Sequence, residues 1–301
     1  MLAINVISNG YQFAAMPDAV PPPVEHPENF PVASWLCPPN LRAPIAAIYH
    51  FARCADDIAD EGDARASKRL EDLAEMRADL KAAGQGTPSK RWPHIFEPLA
   101  AQIRRFALPV PLLDDLLDAF TQDVLMTRRA AAYPDMPALL DYCSRSANPI
   151  GRLLLHLYLV TDEESLAQSD AICSALQLIN FWQDLSVDIP RRRYYLPLSE
   201  CVAHGLAITE PRVHMHELRE DDARVSALIA SLCESTRALM LRGAPLVHRV
   251  PGRAGWELRL TVQGALSVLE QTRALGAHAL HIRPTLRYRD APGILWRCLG
   301  M

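Results

Sequence analysis

The chain has 301 residues, of which 50% are hydrophobic and 22% charged, so it holds enough apolar material for one large packed domain. Its formal net charge of −4 gives no general attraction for nucleic acid, and any phosphate binding must come from local basic residues. The seven cysteines are scattered and form no CxxC pair, which argues against a zinc site and a disulfide framework and favours a reducing cytosol.

The N-terminal stretch 1–37 is proline-rich around positions 21–23 and shows no periodicity, so it is predicted to be an irregular arm. It lacks a charged segment followed by a long apolar run, and no signal peptide is expected. The longest apolar run, at 151–160, carries Arg152 and His156 and is too short to cross a bilayer. We therefore expect a cytoplasmic protein, either soluble or peripheral to the inner face of the membrane.

From about residue 40 onward, apolar residues recur at helical spacing, and proline or glycine separates the segments. No internal repeat or low-complexity linker interrupts this pattern. One all-α domain covering 38–301 is the simplest prediction. The predicted helices lie near 43–61, 65–83, 94–105, 111–130, 136–160, 164–189, 219–242, 254–277 and 286–297.

A first acidic strip lies on the first predicted helix. Asp56 and Asp60 are separated by only about 40° around a helix, and Arg53 and Tyr49 fall on the same strip. Like charges four residues apart destabilise a helix, so a compensating ligand is expected, and a hard cation such as Mg²⁺ suits carboxylate oxygens. The alternative is a solvated acidic helix end.

A second polar strip lies near the end of the predicted helix 164–189. Gln177, Asn180, Asp184 and Asp188 are spaced three or four residues apart on a helix that is apolar elsewhere. Such a helix is usually buried, and buried carboxylates are costly unless they are paired or bound to metal. A buried hydrogen-bonded network is the alternative.

The two strips have a common interpretation. If their helices face each other, the carboxylates can hold Mg²⁺ ions that neutralise a leaving diphosphate. Arg53 and the arginine cluster at 191–193 could add charge-assisted hydrogen bonds to phosphate oxygens. Within this cluster the pattern favours Arg193, and the alternative for the cluster is an exposed loop.

This pairing of motifs resembles the squalene/phytoene synthase family over about residues 26–297. The first aspartate-rich motif of the family matches DDIAD at 56–60, and a tyrosine on its catalytic helix matches Tyr142. The second motif and the residues after it match Asn180, Asp184, Asp188, Arg193 and Tyr195.

The resemblance is closer to the bacterial hydroxysqualene synthase branch of the hopanoid pathway. It rests on ENFPVAS at 28–34, FARCADDIADEGD at 51–63, YCSRSANPIGR at 142–152 and LINFWQD at 178–184. Enzymes of that branch convert presqualene diphosphate and water to hydroxysqualene and diphosphate. A sister branch makes presqualene diphosphate from two farnesyl diphosphates.

The resemblance implies an isoprenoid synthase fold, with helices around a central active-site cavity, and an Mg²⁺-dependent enzyme. It further implies an isoprenoid diphosphate substrate and a functional partnership with a presqualene diphosphate synthase and a squalene-forming reductase. The implied metal ligands are Asp56, Asp60, Asn180, Asp184 and Asp188. The implied catalytic residues are Tyr142, Asp56, Asp60 and Asp184. The implied substrate contacts are Arg53, Tyr49, Phe30, Gln177, Asn180, Arg193 and Tyr195.

Three departures from the family pattern keep other functions open. The serine-rich element before the first helix reads HPENF at 26–30, the segment after the tyrosine reads SANPIG at 146–151, and Gln183 stands where an arginine is common. The first alternative is a head-to-head prenyl transferase that makes presqualene diphosphate, squalene or phytoene. The second is a non-catalytic helical assembly factor, against which the presence of both acidic strips counts.

Two further segments are open to two interpretations each. Ser146, Asn148 and His156 surround Pro149, which should disturb its helix, so these side chains either hold a reactive water or merely satisfy the disturbed backbone. The apolar tail 292–301 either rests at a bilayer surface or docks the last helix onto the core.

Overall fold

A computed structural model describes residues 37–87 and 89–301, and in this part of the chain the regular elements are all helices, joined by loops, without a β-strand. The prediction of an irregular arm at 1–37 therefore lies almost entirely outside the described residues. The helices are α1 (Pro39–Asp60), α2 (Ala66–Gly84), α3 (Pro93–Phe106), α4 (Val110–Arg129), α5 (Met136–Ser146), α6 (Asn148–Leu157), α7 (Glu163–Gln183), α8 (Leu185–Asp188), α9 (Leu198–Ala203), α10 (Pro211–His214), α11 (Ala223–Gly243), α12 (Arg253–Leu275) and α13 (Ala291–Leu299).

The helices enclose two apolar cores. One core is built by α1 to α4, and the other by α5, α7, α11 and α12. Helix α6 lies between them, because Leu153 and Leu157 pack into the first core while Leu155 packs into the second. This alternation follows from helical spacing, which puts residues four apart on one face.

The predicted helix 136–160 is wrong, since two helices occupy it. α5 ends at Ser146 and α6 begins at Asn148, with Ala147 between them at φ −125° and ψ −46°. Pro149 is the cause, because a proline lacks the N–H that a continuous helix would use and its ring clashes with the preceding turn. The first turn of a new helix tolerates proline, and Pro149 sits there.

The predicted helix 164–189 is also divided. α7 ends at Gln183, and Asp184, at φ −100° and ψ 14°, joins it to the single turn of α8. The second polar strip thus crosses a helix end rather than running along one helix. The short helices α9 and α10 were not predicted, because four to six residues are too few to show a helical period.

The tail docks onto the core through one face of α13. Ile294 and Cys298 are buried, four residues apart, and Arg297 donates to Glu270 of α12 at 3.0 Å. None of the described helices combines the length and the hydropathy that crossing a bilayer requires.

Candidate active site

An apolar cavity lies between α1, α6, α7 and α12. Its wall is almost entirely hydrocarbon, which suits an apolar ligand because burying such a ligand releases water from apolar surface on both sides. The residues that line it are Cys37, Ile45, Ile48, Tyr49, Ala52, Ala147, Ile150, Gly151, Leu154, Leu155, Tyr158, Ser169, Ile172, Cys173, Leu176, Leu246, Val250, Ala254, Glu257 and Leu258.

On two helices the apolar wall passes directly into the predicted polar strips. On α1, Ala52 lines the cavity and Asp56 follows one turn later. On α7, Leu176 lines the cavity and Asn180 follows one turn later. Residues four apart share a helix face, so both polar strips continue the cavity wall at one end. The structure thereby brings together the two motifs that the sequence analysis paired.

Arginine side chains form ion pairs with the carboxylates at this polar end. Arg193 forms an ion pair with Asp60 of α1 and lies 3.8 Å from Asp188 of α8, so one guanidinium joins the two strips. It is only 8% exposed. The carboxylates of Asp60 and Asp188 balance the charge of this buried guanidinium, and removing either side of the pairing would leave a buried charge unpaired.

Two further arginines complete this arrangement. Arg53 lies 2.7 Å from Asp57 and 3.6 Å from Asp56 on its own helix. Arg283, from the segment after α12, contacts Asp184 at 2.5 Å. The polar end of the cavity thus contains five carboxylates and three guanidinium groups, which can bind metal ions and phosphate oxygens respectively.

A buried aspartate of α4, Asp123, accepts hydrogen bonds from two tyrosines of the predicted site. The hydroxyl of Tyr142 donates to one oxygen of Asp123, and the hydroxyl of Tyr195 donates to the other at 3.4 Å. Burial, together with the nearby Asp56 carboxylate, raises the pKa of Asp123 to about 6. Burial and the Asp123 carboxylate also raise the pKa of Tyr142 well above its usual value, so this phenol stays protonated.

Aromatic rings pack around that aspartate. The rings of Phe181 and Tyr195 stack with centroids 3.8 Å apart and planes inclined by 10°. Tyr142 lies against both of them, at 6.2 Å from Phe181 and 6.5 Å from Tyr195, and Tyr133 closes the cluster at 5.7 Å from Tyr142. Aromatic faces carry partial negative charge, so this cluster can stabilise a cation without attacking it.

The donor set fits Mg²⁺ in its chemistry. Asp188 is 4% exposed, and no described group forms a hydrogen bond with its Oδ1 atom, although Arg193 lies nearby. Burial and the neighbouring Asp184 raise the pKa of Asp188 to about 8, which a bound cation would reverse. Among the described residues no three carboxylate, histidine or cysteine groups are gathered into a metal-binding cluster. The carboxylates form ion pairs with arginines. The set of five metal ligands stays a prediction.

The other predicted residues lie in different surroundings. Tyr49 lines the cavity, Gln177 is buried on α7, and Asn180 is half-buried at the cavity end of that helix. Phe30 lies outside the described residues. Within the arginine cluster only position 193 is buried, whereas 191 and 192 are exposed. The functional preference for Arg193 stays a prediction.

The three polar side chains predicted to surround Pro149 lie in different surroundings in the structure. The imidazole Nε2 of His156 lies 2.9 Å from the carbonyl of Phe106, which ties it to the end of α3 and removes it from the predicted water site. Asn148 is buried, and its Oδ1 accepts a hydrogen bond from Ser174 at 2.9 Å. Ser146 is 3% exposed, and in the described part of the chain its hydroxyl has no hydrogen-bond partner.

Sequence reasoning missed two site residues, Asp123 and Arg283. Asp123 sits on α4 in the segment AFTQDVLM, where it is one more acidic residue on an amphipathic helix. Arg283 reaches Asp184 across 99 residues of sequence. The one sequence feature that pointed to this region was Gln183, which stands where the family often has arginine. Its side chain donates to the carbonyl of Pro284 at 2.8 Å and so holds the segment that carries Arg283.

Helices around an apolar cavity that ends in paired acidic strips define the isoprenoid synthase class of fold. A sequence profile described as squalene/phytoene synthase matches residues 24–290. The chain therefore belongs to the squalene/phytoene synthase family.

Individual relatives agree with this assignment. A hydroxysqualene synthase of Rhodopseudomonas palustris is 32% identical over 85% of this chain and 84% of its own length. One from Zymomonas mobilis is 39% identical over 56% of this chain, which covers about half, 54%, of that relative. A presqualene diphosphate synthase of Rhodopseudomonas palustris is 28% identical over 86% of this chain and 90% of its own length.

Among solved structures, the squalene synthase HpnC from Alicyclobacillus acidocaldarius superposes with a TM-score of 0.71 at 30% identity. The match covers 81% of this chain and 88% of that one.

Proposed function

We propose that this protein is a hydroxysqualene synthase, which converts presqualene diphosphate and water to hydroxysqualene and diphosphate in squalene and hopanoid biosynthesis. The observation that carries the proposal is the apolar cavity whose walls on α1 and α7 pass, one turn on, into carboxylates and arginines. Such a site holds a long hydrocarbon at one end and its diphosphate at the other. The similarity to hydroxysqualene synthases of two bacteria supports the particular reaction.

The reaction begins with heterolysis of the carbon–oxygen bond to the diphosphate, and the electron pair leaves with that group. Arg53, Arg193 and Arg283 can each donate to its oxygens, provided that they exchange their carboxylate partners for phosphate. Asp56, Asp60, Asn180, Asp184 and Asp188 would hold Mg²⁺, which supplies positive charge to the departing diphosphate.

The carbocation that remains must survive until water reaches it. The cavity wall is mostly hydrocarbon, and the packed rings of Phe181, Tyr195 and Tyr142 would offer polarisable faces to the cation. Asp123 holds the hydroxyls of Tyr142 and Tyr195, so their oxygen lone pairs are fixed in direction. Catalytic roles for Tyr142 and for the aspartates Asp56, Asp60 and Asp184 are part of this proposal.

The helix break between α5 and α6 is the proposed position of the attacking water. Ala147 at the break lines the cavity, and the buried hydroxyl of the adjacent Ser146 has no partner among the described residues. A buried polar group of that kind usually binds an ordered water, which needs two or more polar contacts. The water oxygen forms the new carbon–oxygen bond and then loses one proton, which the released diphosphate accepts.

The second candidate is a head-to-head prenyl transferase that joins two farnesyl diphosphates. The 28% identity to a presqualene diphosphate synthase over most of both chains favours it. Against it, Gln183 supplies no positive charge beside Asp184, where one guanidinium, that of Arg283, makes contact. One diphosphate needs fewer cationic groups than two.

Product analysis in ¹⁸O-water separates the candidates. Purified protein with Mg²⁺ is given presqualene diphosphate and, separately, farnesyl diphosphate. We expect ¹⁸O-labelled hydroxysqualene from the first substrate and no product from the second. Presqualene diphosphate, squalene or phytoene from farnesyl diphosphate would establish the alternative, and no turnover of either would favour an assembly factor.

Variants of the break test the water position. Ser146→Ala should lower the yield of alcohol relative to hydrocarbon by-products, whereas Ser144→Ala, on the exposed face of the same helix, should leave it unchanged. Asn148→Ala tests the neighbouring amide, which is already bonded to Ser174. Equal alcohol yields in all three variants would reject Ser146 and Asn148 as the residues that hold the water.

We also propose that the enzyme acts in the cytoplasm, peripheral to the inner face of the membrane. There it would receive its substrate from a presqualene diphosphate synthase and pass its product to a squalene-forming reductase. The supporting reason is chemical, since the substrate and the product are both long lipids that partition into a bilayer.

A further inference from the structure

The last helix has two apolar faces, of which only one is used for packing. Ile294 and Cys298 are 2% exposed and face the core. Leu295, Trp296 and Leu299 are 56%, 77% and 68% exposed. Large apolar side chains on consecutive turns of a short helix are rarely left in water unless they contact something else.

A neighbouring helix extends this apolar surface. Asp290 at the start of α13 accepts from Gln271, and Met301 just beyond α13 accepts from Gln263, so α13 runs antiparallel to α12. The exposed end of α13 therefore points toward the first turns of α12. Trp256 there is 44% exposed, and the guanidinium of Arg259 lies 4.6 Å from the centre of its ring.

The charge of this part of the chain is opposite to that of the whole. Residues 253–301 contain seven arginines, no lysine and three acidic residues, a net charge of +4, whereas the complete chain carries −4. Three of these arginines pair with carboxylates: Arg273 with Glu234, Arg283 with Asp184 and Arg297 with Glu270. Tryptophan, leucine and arginine together are the composition of surfaces that lie in the headgroup region of an anionic bilayer, and basic residues there add electrostatic attraction.

The same helix also forms part of the cavity. Ala254 and Leu258 of α12 line the cavity on either side of the exposed Trp256 in sequence. A bilayer that contacts Trp256 would thus lie one helix thickness, about 10 Å, from the apolar cavity.

We propose that the surface formed by Trp256, Leu295, Trp296 and Leu299, together with Arg259 over the Trp256 ring, binds the anionic face of a lipid bilayer. Contact at this surface places the wall of the cavity next to the membrane, so that a lipid substrate and product exchange without crossing bulk water. The binding itself follows from exposure and charge. Only the exchange rests on the proposed isoprenoid substrate.

Sedimentation of the full chain with lipid vesicles tests the proposal. Wild type should bind vesicles of phosphatidylglycerol and phosphatidylcholine, bind less at high salt, and bind vesicles of phosphatidylcholine alone more weakly. Trp296→Ser combined with Leu299→Ser should lower the partition coefficient by about tenfold or more, because two apolar side chains no longer enter the interface. Their exposure predicts unchanged folding, checked by circular dichroism.

A matched control removes exposed apolar surface elsewhere. Val202 of α9 and Val213 of α10 are 63% and 43% exposed, and Val202→Ser with Val213→Ser should leave vesicle binding unchanged. Equal loss in both double variants, or none in either, would overturn the proposal. So would a wild-type dimer that the Trp296 and Leu299 changes dissociate without any vesicle binding, since the surface would then join two copies of the chain.

Activity toward detergent-dispersed presqualene diphosphate separates this proposal from the proposed reaction. The Trp296 and Leu299 variant should keep wild-type turnover in detergent and lose it when the substrate is supplied in vesicles. If wild type binds vesicles yet makes no hydroxysqualene, the reaction is wrong and the membrane surface stands.

Discussion

At the scale of single residues, the site depends on how buried charges are balanced. Asp123 is the clearest case, because this carboxylate is 7% exposed, and the two groups that donate to it are the neutral phenols of Tyr142 and Tyr195. The groups that face it from neighbouring elements include the carboxylates of Asp56 and Asp188. Burial of a charge without a cationic partner raises the pKa of a carboxyl group, and that of Asp123 rises from 3.8 to about 6.

This shift predicts a dependence of stability on pH that Asp123→Asn should remove. A carboxyl whose folded pKa is raised contributes stability below its unfolded pKa, and that contribution is lost as the pH rises through the folded value. The unfolding free energy of wild type, relative to the Asn variant, should fall by about 2 to 3 kcal/mol between pH about 4 and about 7. Urea unfolding followed by circular dichroism measures both proteins at each pH. A difference that does not change with pH would show that Asp123 titrates normally.

At the scale of elements, helix packing depends on two glycines that face α7. A Cβ atom at Gly151 of α6 would lie 2.5 Å from the sulfur of Cys173. At Gly243, the last residue of α11, it would lie 2.5 Å from the backbone carbonyl of Gln168 and 2.9 Å from the backbone nitrogen of Ile172. A side chain can change its rotamer to avoid an added Cβ atom, whereas the backbone of a packed helix cannot move independently. The contact at Gly243 is therefore more restrictive than the one at Gly151.

Gly243→Ala should therefore destabilise the protein by about 2 kcal/mol or more, since α11 must move away from α7. Gly293→Ala is the matched control on α13, where no atom lies within 4 Å of the added Cβ. Alanine in an exposed helix should be neutral there or stabilise by up to about 1 kcal/mol. Thermal unfolding compares the two variants with wild type. Equal effects would mean that backbone contact at position 243 does not limit the packing.

At the scale of the whole molecule, the two apolar cores meet at the polar end of the cavity. Arg193, from the segment after α8, pairs with Asp60 of α1, and Arg283, from the segment after α12, pairs with Asp184. These arginines form ion pairs with carboxylates that would otherwise bind a metal–diphosphate complex. A ligand that engages both sides at once should stabilise the entire fold, because it binds the folded chain alone.

Mg²⁺ with inorganic diphosphate should thus raise the melting temperature of wild type by about 2 to 5 °C at saturation. Asp56→Asn and Asp184→Asn should lose most of this shift and most turnover while keeping their helical circular dichroism, because each removes a hard oxygen ligand. Asp141→Asn, on the exposed face of α5 with 71% of its side chain accessible, is the control and should behave as wild type. Full activity in EDTA would refute the requirement for Mg²⁺.

The sequence by itself determined the helical class of the fold, each of the two acidic strips and the family, because each depends on residues a few positions apart. The strips lie far from each other, at 56–60 and 177–188, so their pairing rested on the hypothesis that the two helices face each other. Helical period places Asp56 with Asp60, and Asn180 with Asp184, without knowledge of any other helix. Arg193, which was favoured over its two neighbours for a functional role, is the one of the three that is buried. Proline at 149 predicted a disturbed helix, although not that it would become two.

Tertiary structure alone decided which groups meet across long separations. Asp123 and Tyr142 are 19 residues apart, and Arg283 and Asp184 are 99 apart, so no local period connects them. The energy of each contact depends on burial, which is a property of the packed helices and not of a sequence window. For the same reason the two faces of α13 became distinguishable only once Ile294 and Cys298 were packed on the core and Trp296 was left outside.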